Sequence, residues 1–91
     1  MLKVTNAAQT VAVEYSSSNE VQTGDLNYTV TDEWVRVDPT AIMTFEIYAN
    51  TTGYTRDAII NWTYNAPGGA QITGSIHVWQ SPTESTENII F

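Results

Sequence analysis

The chain has 91 residues, a formal net charge of −7 and no cysteine. One domain of this length can bury a modest core, with neither disulfide staples nor thiolate metal sites to help it. Three cations, Lys3, Arg36 and Arg56, stand against ten carboxylates; they cannot neutralise a row of phosphates or an anionic bilayer surface, so neither nucleic acid nor membrane is expected as a partner.

Charged residues make up only 14% of the chain, and 14 threonines, five tyrosines and three tryptophans fill their place. Such β-branched and aromatic side chains suit a pleated, half-buried surface, which predicts an all-β fold. Alternation then marks the strands. Val11, Val13 and Tyr15 share one face, with Thr10, Ala12 and Glu14 on the other. Ser16-Ser17-Ser18-Asn19 breaks that strand, and Gln22-Thr23-Gly24-Asp25 is a turn. Leu26, Tyr28 and Val30 alternate with Asn27 and Thr29. Thr31-Asp32-Glu33 leads into a short strand from Trp34 to Val37, which Asp38-Pro39 ends because proline cannot donate to a ladder. Whether Trp34 and Arg36 or Val35 and Val37 face inward is left open by the pattern.

Met43, Phe45, Ile47 and Ala49 form one face of the next strand, opposite Thr44, Glu46 and Tyr48. After a turn over Asn50 to Tyr54, Arg56, Ala58, Ile60, Trp62 and Tyr64 share a face, with Asp57, Ile59, Asn61 and Thr63 behind them. Pro67-Gly68-Gly69 marks a loop. Beyond it Ile72, Gly74, Ile76 and Val78 are predicted to face inward, with Thr73, Ser75, His77 and Trp79 outward. In the resulting hairpin Trp62 lies opposite Gly74, whose missing side chain leaves room for the indole. Ser81 to Glu87 is a polar tail, and Asn88-Ile89-Ile90-Phe91 ends on three apolar residues. Short strands with regularly spaced turns predict a single immunoglobulin-like antiparallel β-sandwich of about seven strands. Its core spans roughly residues 10–80, and 81–91 form a tail or docking segment.

Three stretches carry a family resemblance: Ala49 to Ile60, with its polar turn opening onto Arg56; Ile76-His77-Val78-Trp79-Gln80-Ser81; and Glu33-Trp34-Val35-Arg36-Val37. Together they resemble BACON domains, immunoglobulin-like modules of Bacteroidetes proteins and of phages that infect gut bacteria. The resemblance spans Thr10 to Gln80. Tyr28 stands where the family usually carries a tryptophan, and Gln80 is followed by Ser81-Pro82 rather than a small residue and glycine. What the resemblance implies is a sandwich without catalytic chemistry, used as a spacer or for binding carbohydrate or mucin.

The residues agree with a non-catalytic reading. His77 is the only histidine, so a histidine metal cage is excluded and a triad would rest on one ring. Asp32 and Glu33 are adjacent turn carboxylates, and Asp25, Asp32, Glu33 and Asp38 lack EF-hand spacing, so solvated side chains are the better reading. Arg56 is read as structural, locking its turn through a carboxylate or backbone carbonyl. No cofactor is expected.

The sharper feature is outward apolar surface. Ile59, His77 and Trp79 share one outer sheet face, suited to a protein interface, a sugar platform, or cover by Ile89, Ile90 and Phe91. Tyr48 and Tyr54 sit at strand edges or tips, where binding residues collect. Met1 to Thr5 shows no signal-peptide pattern. The expectation is a small accessory protein decorating a larger assembly made in the bacterial cytoplasm, most concretely a phage capsid protein surface. Leu2, Val4, Ile59, His77, Trp79, Ile89, Ile90 and Phe91 would dock it. The alternative is a glycan-binding or spacer module of an exported protein, with Trp79, Tyr48 and Tyr54 stacking on sugar.

Overall fold

A computed structural model describes residues 2–82. Seven strands run in chain order: β1 (Leu2–Val4), β2 (Gln9–Ala12), β3 (Leu26–Val30), β4 (Val35–Val37), β5 (Thr44–Ile47), β6 (Arg56–Asn65) and β7 (Gln71–Gln80). A 3-10 turn over Thr23–Asp25 precedes β3, at the predicted glycine–aspartate turn. One sheet has the order β1-β7-β6-β3 and the other β2-β5-β4. In immunoglobulin terms these are strands A′, G, F, C and strands B, E, D. The molecule is therefore an immunoglobulin-like β-sandwich.

All pairings are antiparallel except that of β1 with β7, which is parallel. The sequence pattern does not reveal β1: three residues offer too short an alternation, and their partners Val78, Trp79 and Gln80 lie at the far end of the chain. The folded core therefore begins near residue 2 rather than residue 10.

Inward residues of both sheets meet in a dry centre. Phe45, Ile60 and Val78 are fully buried, and Ile47, Ala58, Val35, Val4 and Leu26 surround them. Val35 settles the open face of the short strand: it is buried while Arg36 is exposed. Burying one such large apolar side chain contributes about 1.5 to 3 kcal/mol. Tyr28 bridges the layers, its ring edge-on to Phe45 at 5.4 Å and its hydroxyl accepting the Met43 N–H at 3.2 Å. Met43 holds a left-handed backbone, φ 48°, just before β5.

The 10-residue hairpin strands carry the longest ladder, with Trp62 opposite Gly74 as predicted. A Cβ placed on Gly74 would lie 2.6 Å from Cε2 of Trp62, so only glycine leaves the indole its seat. Four positions depart from the alternation: Thr44, on the opposite parity, is buried with its hydroxyl donating to the Ile42 carbonyl at 2.9 Å, and three others are exposed. Ile72 is 52% exposed, because the facing sheet has strands of only three or four residues and does not reach that end of the hairpin. Tyr15 is likewise 52% exposed, since β2 stops at Ala12. Ala49 is exposed because β5 stops at Ile47.

Candidate functional site

A polar clamp closes one end of the sandwich, and the residues behind the family resemblance build it. Arg56 opens β6 directly opposite Gln80, the last residue of β7. Gln80 is fully buried, a costly place for an amide unless every polar atom is paired. Its Oε1 accepts the Arg56 Nε–H at 2.8 Å, while its Nε2 donates to the Tyr48 carbonyl at 2.8 Å and the Thr5 carbonyl at 3.1 Å. A terminal guanidinium nitrogen of Arg56 donates to the carbonyls of Tyr48 and Ala49 at 3.1 and 3.0 Å. The guanidinium carbon lies 4.5 Å from the centre of the Trp34 ring, within cation–π range. Desolvation lowers the Arg56 pKa and the field of Asp32 opposes that shift. Arg56 is thus structural as expected: of the two expected partners it uses backbone carbonyls rather than a carboxylate, and the Gln80 amide is added to them.

Asn50 is the second anchor. Its side-chain Nδ2 donates to the carbonyls of Tyr54 and Ser81 at 2.8 and 2.9 Å. Its Oδ1 accepts the Thr52 N–H at 3.0 Å and the Thr52 hydroxyl at 2.6 Å, the pattern of an Asx-turn. Its backbone N–H donates to the Asn6 carbonyl at 2.8 Å. Five chain segments are thereby tied together: the β1–β2 connection, Trp34, the β5–β6 turn, the start of β6 and the end of β7. The Asn50-Thr51-Thr52 triplet matches the glycosylation acceptor pattern, but Asn50 is buried and so not accessible as an acceptor.

The outer face of the four-stranded sheet carries the predicted patch. Ile59 and His77 are directly paired across β6 and β7, and Asp57 and Trp79 form the next pair toward the clamp. Ile59 is 40% exposed, and Trp79 is half-buried. Lys3, paired with Trp79 across β1, holds its ammonium 5.6 Å from the indole centre. His77 Nε2 lies 2.9 Å from Asp57 Oδ2, with the Asp57 side chain largely in solvent and that of His77 partly so. An exposed ion pair of this kind contributes little stability, about 0 to 1 kcal/mol. The face therefore presents a half-open indole, an isoleucine, one cation and an imidazole–carboxylate pair side by side.

The remaining predicted residues separate into three groups. Val4 is buried in the core and Leu2 packs beside it, so β1 spends these side chains inside the domain rather than on docking. Tyr54 is 80% exposed in the β5–β6 turn, and Tyr48 is 47% exposed just beyond β5. Ile89, Ile90 and Phe91 lie outside the described residues. The turn carboxylates are engaged locally. Asp25 accepts the Gln22 N–H, Asp32 the Thr31 hydroxyl, and Asp38 the backbone N–H and hydroxyl of Thr40. The Thr40 hydroxyl and N–H hold the Asp38 carboxyl below its ordinary value. Among the described residues, no group of three or more histidine, aspartate or glutamate side chains is placed to hold a metal ion.

Sequence reasoning missed the burial of Asn50 and Gln80, because polar residues at strand ends read as surface. The signal was nonetheless there, in the resemblance that singled out Asn50, Arg56 and Gln80 together. Comparison with protein-family models, curated proteins and solved structures gives no match for this chain.

Proposed function

We propose that the chain is a BACON-like interaction module without catalytic activity, docking on a protein surface of a larger assembly. The most concrete assembly is a phage capsid put together in the bacterial cytoplasm. One observation carries this reading: Ile59, His77 and Trp79 are contiguous on the outer face of a sheet whose geometry is fixed at one end by the Arg56–Gln80–Asn50 clamp. A flat, half-apolar face with an aromatic anchor and adaptable polar neighbours is what an interface core needs. Lys3 beside Trp79 provides a cation near the anchor in a chain of net charge −7, so a partner patch with a carboxylate opposite Lys3 would fit.

The test is incorporation of purified variants into host particles. Trp79→Ala and Ile59→Asp should leave the domain folded and reduce incorporation at least about tenfold, the loss of one interface anchor. Incorporation equal to wild type would count against this face. A variant lacking Asn88 to Phe91 assigns the share of the terminal apolar residues in the same assay.

Glycan binding is favoured by a different observation, the 80% exposure of Tyr54 at a turn held rigid by Asn50 and Thr52. An aromatic ring presented on a fixed turn offers a stacking surface at low entropic cost. In that case Tyr54→Ala, and not Ile59→Asp, would abolish retention on immobilised glycans.

A further inference from the structure

The four-stranded sheet ends on β3, and among the described residues no strand pairs with its outer edge. Residues Thr31 to Trp34 carry the chain from β3 straight across to β4 in the other sheet. The position where variable-type immunoglobulin domains add further strands beside this one is therefore open. Register fixes which main-chain groups face that opening. The Thr31 N–H donates to the Ile59 carbonyl at 3.2 Å, and in an antiparallel ladder residues of that parity turn their main chain toward the partner strand. Asn27 and Thr29 therefore bond to β6, while Tyr28 and Val30 turn their N–H and carbonyl groups outward along the free edge. The β6–β7 turn gives the same parity: the Ala66 N–H donates to the Ala70 carbonyl, which puts Ile60, Trp62 and Tyr64 in hydrogen-bonded pairs with β7 rather than with β3.

The side chains on this flank are open as well. Tyr28 and Val30 point inward yet are only part-buried, as is Val37 at the end of β4, the edge of the other sheet on the same flank. Sheet edges are commonly guarded by a lysine, a proline or a bulge. β3 reads Leu26-Asn27-Tyr28-Thr29-Val30, with no charge and no proline. Its charges stand at the two ends, Asp25 before it and the exposed Asp32 and Glu33 after it. From Asp25 to Asp32 is about 23 Å along a strand at about 3.3 Å per residue.

Those carboxylates select the occupant. An antiparallel pairing of two copies centred on Tyr28 would bring Asp25 of each beside Asp32 of the other, setting like charges together at both ends. A strand with flanking cations is attracted there instead. We propose that the free edge of β3 is a β-augmentation site for an extended segment of a partner protein, one that alternates apolar and polar residues and carries a lysine or arginine at each end. Its main chain pairs with Tyr28 and Val30, its apolar side chains cover Tyr28, Val30 and Val37, and its cations meet Asp25 and Asp32. The site rests on main-chain groups and not on Ile59, His77 or Trp79, so it stands or falls separately from the docking face.

The probe is the peptide Lys-Val-Thr-Val-Thr-Val-Lys, acetylated and amidated, and its control is the same peptide with a glutamate at each end. Amide chemical shifts and hydrogen exchange of the full chain read the outcome. The lysine peptide should shift the Tyr28 and Val30 amides saturably, and at about nine times its Kd should slow their exchange about tenfold. It should bind at least about fivefold more tightly than the glutamate peptide, two exposed ion pairs against two like-charge contacts. Val30→Pro removes one outward donor without removing a ladder bond, and should weaken the lysine peptide about two- to tenfold, one neutral hydrogen bond. Asp25→Lys combined with Asp32→Lys should reverse the preference between the two peptides. Absence of saturable shifts at Tyr28 and Val30 would overturn the site. Equal affinity for the two peptides would overturn the class of partner. Protection of the same amides on raising the protein concentration alone would make a second copy the occupant and overturn the assignment. If Val30→Pro does not fold, the wild-type titration and the charge-reversed variant still decide.

Discussion

The clamp makes Arg56 and Gln80 energetically coupled, and a double-mutant cycle measures that coupling. Arg56→Met removes the charge-assisted bond to Gln80, two bonds to the Tyr48 and Ala49 carbonyls, and the stacking on Trp34. Tyr48 keeps a donor, because Gln80 Nε2 reaches the same carbonyl. Gln80 Oε1 does not, and it sits in a fully buried residue. A stranded buried acceptor costs about 1 to 3 kcal/mol, and the lost cation–π contact adds about 0.5 to 2 kcal/mol. Arg56→Met should therefore destabilise by about 1.5 to 5 kcal/mol. Gln80→Leu keeps most of the volume. It leaves Thr5 with the Gln9 side-chain donor and Tyr48 with Arg56, so its cost should be smaller, about 2 to 3 kcal/mol.

The double variant removes both ends of that bond and strands neither, but it also takes both donors from the Tyr48 carbonyl, which each single variant leaves with one. Its cost should fall short of the sum of the singles by about 0.5 to 2 kcal/mol: about 1.5 to 3 kcal/mol for the charged hydrogen bond, less about 1 kcal/mol for the neutral bond lost at the Tyr48 carbonyl only in the double variant. Urea unfolding followed by far-ultraviolet circular dichroism gives the stabilities, with equal m-values as the check that the transition remains two-state. Additivity within about 0.5 kcal/mol would refute the coupling. Should Arg56→Met unfold the chain, Arg56→Lys keeps the charge but loses the fork, and the same cycle can be run with it.

Further outcomes follow from single contacts. Gly74→Ala should cost about 1 to 3 kcal/mol by forcing the Trp62 indole from its seat, read in the same unfolding assay. Trp79→Ala should cost no more than about 1 to 2 kcal/mol, because the side chain is only partly buried and lies outside the core cluster; a much larger loss would mean Trp79 is needed for folding rather than docking. Asp38 titrates below its ordinary value because Thr40 hydrogen-bonds its charged form. The group's folded pKa is lowered, so its contribution is present above the unfolded carboxylate value and is lost as pH falls through the folded one. Thr40→Ala should raise the Asp38 pKa in a carbon-detected titration, and an unchanged value would refute the assignment to Thr40.

Much of the sandwich was legible in the sequence. Alternation puts Phe45 with Ile47 on one face, Ala58 with Ile60 on another and Val78 inward; all five are buried, and Trp62 meets Gly74 where spacing puts it. What was not legible depended on partners distant in sequence or on the length of the opposing layer. β1 is too short to announce itself and is defined by pairing with the end of β7. Ile72 obeys the inward parity but has no layer over it. Asn50 and Gln80 are polar and buried because five segments converge on them, which no local pattern can report. For the functional surface, parity sufficed to place Ile59, His77 and Trp79 on one outer face. It could not distinguish Val4, which follows the same apolar logic and ends in the core.

The most direct test of the assembly role is mass spectrometry of intact particles from the native source. The docking account predicts this chain at stoichiometric levels in a virion or comparable assembly, released together with its partner protein. Finding the sequence only inside a longer exported polypeptide, and in no particle, would contradict it.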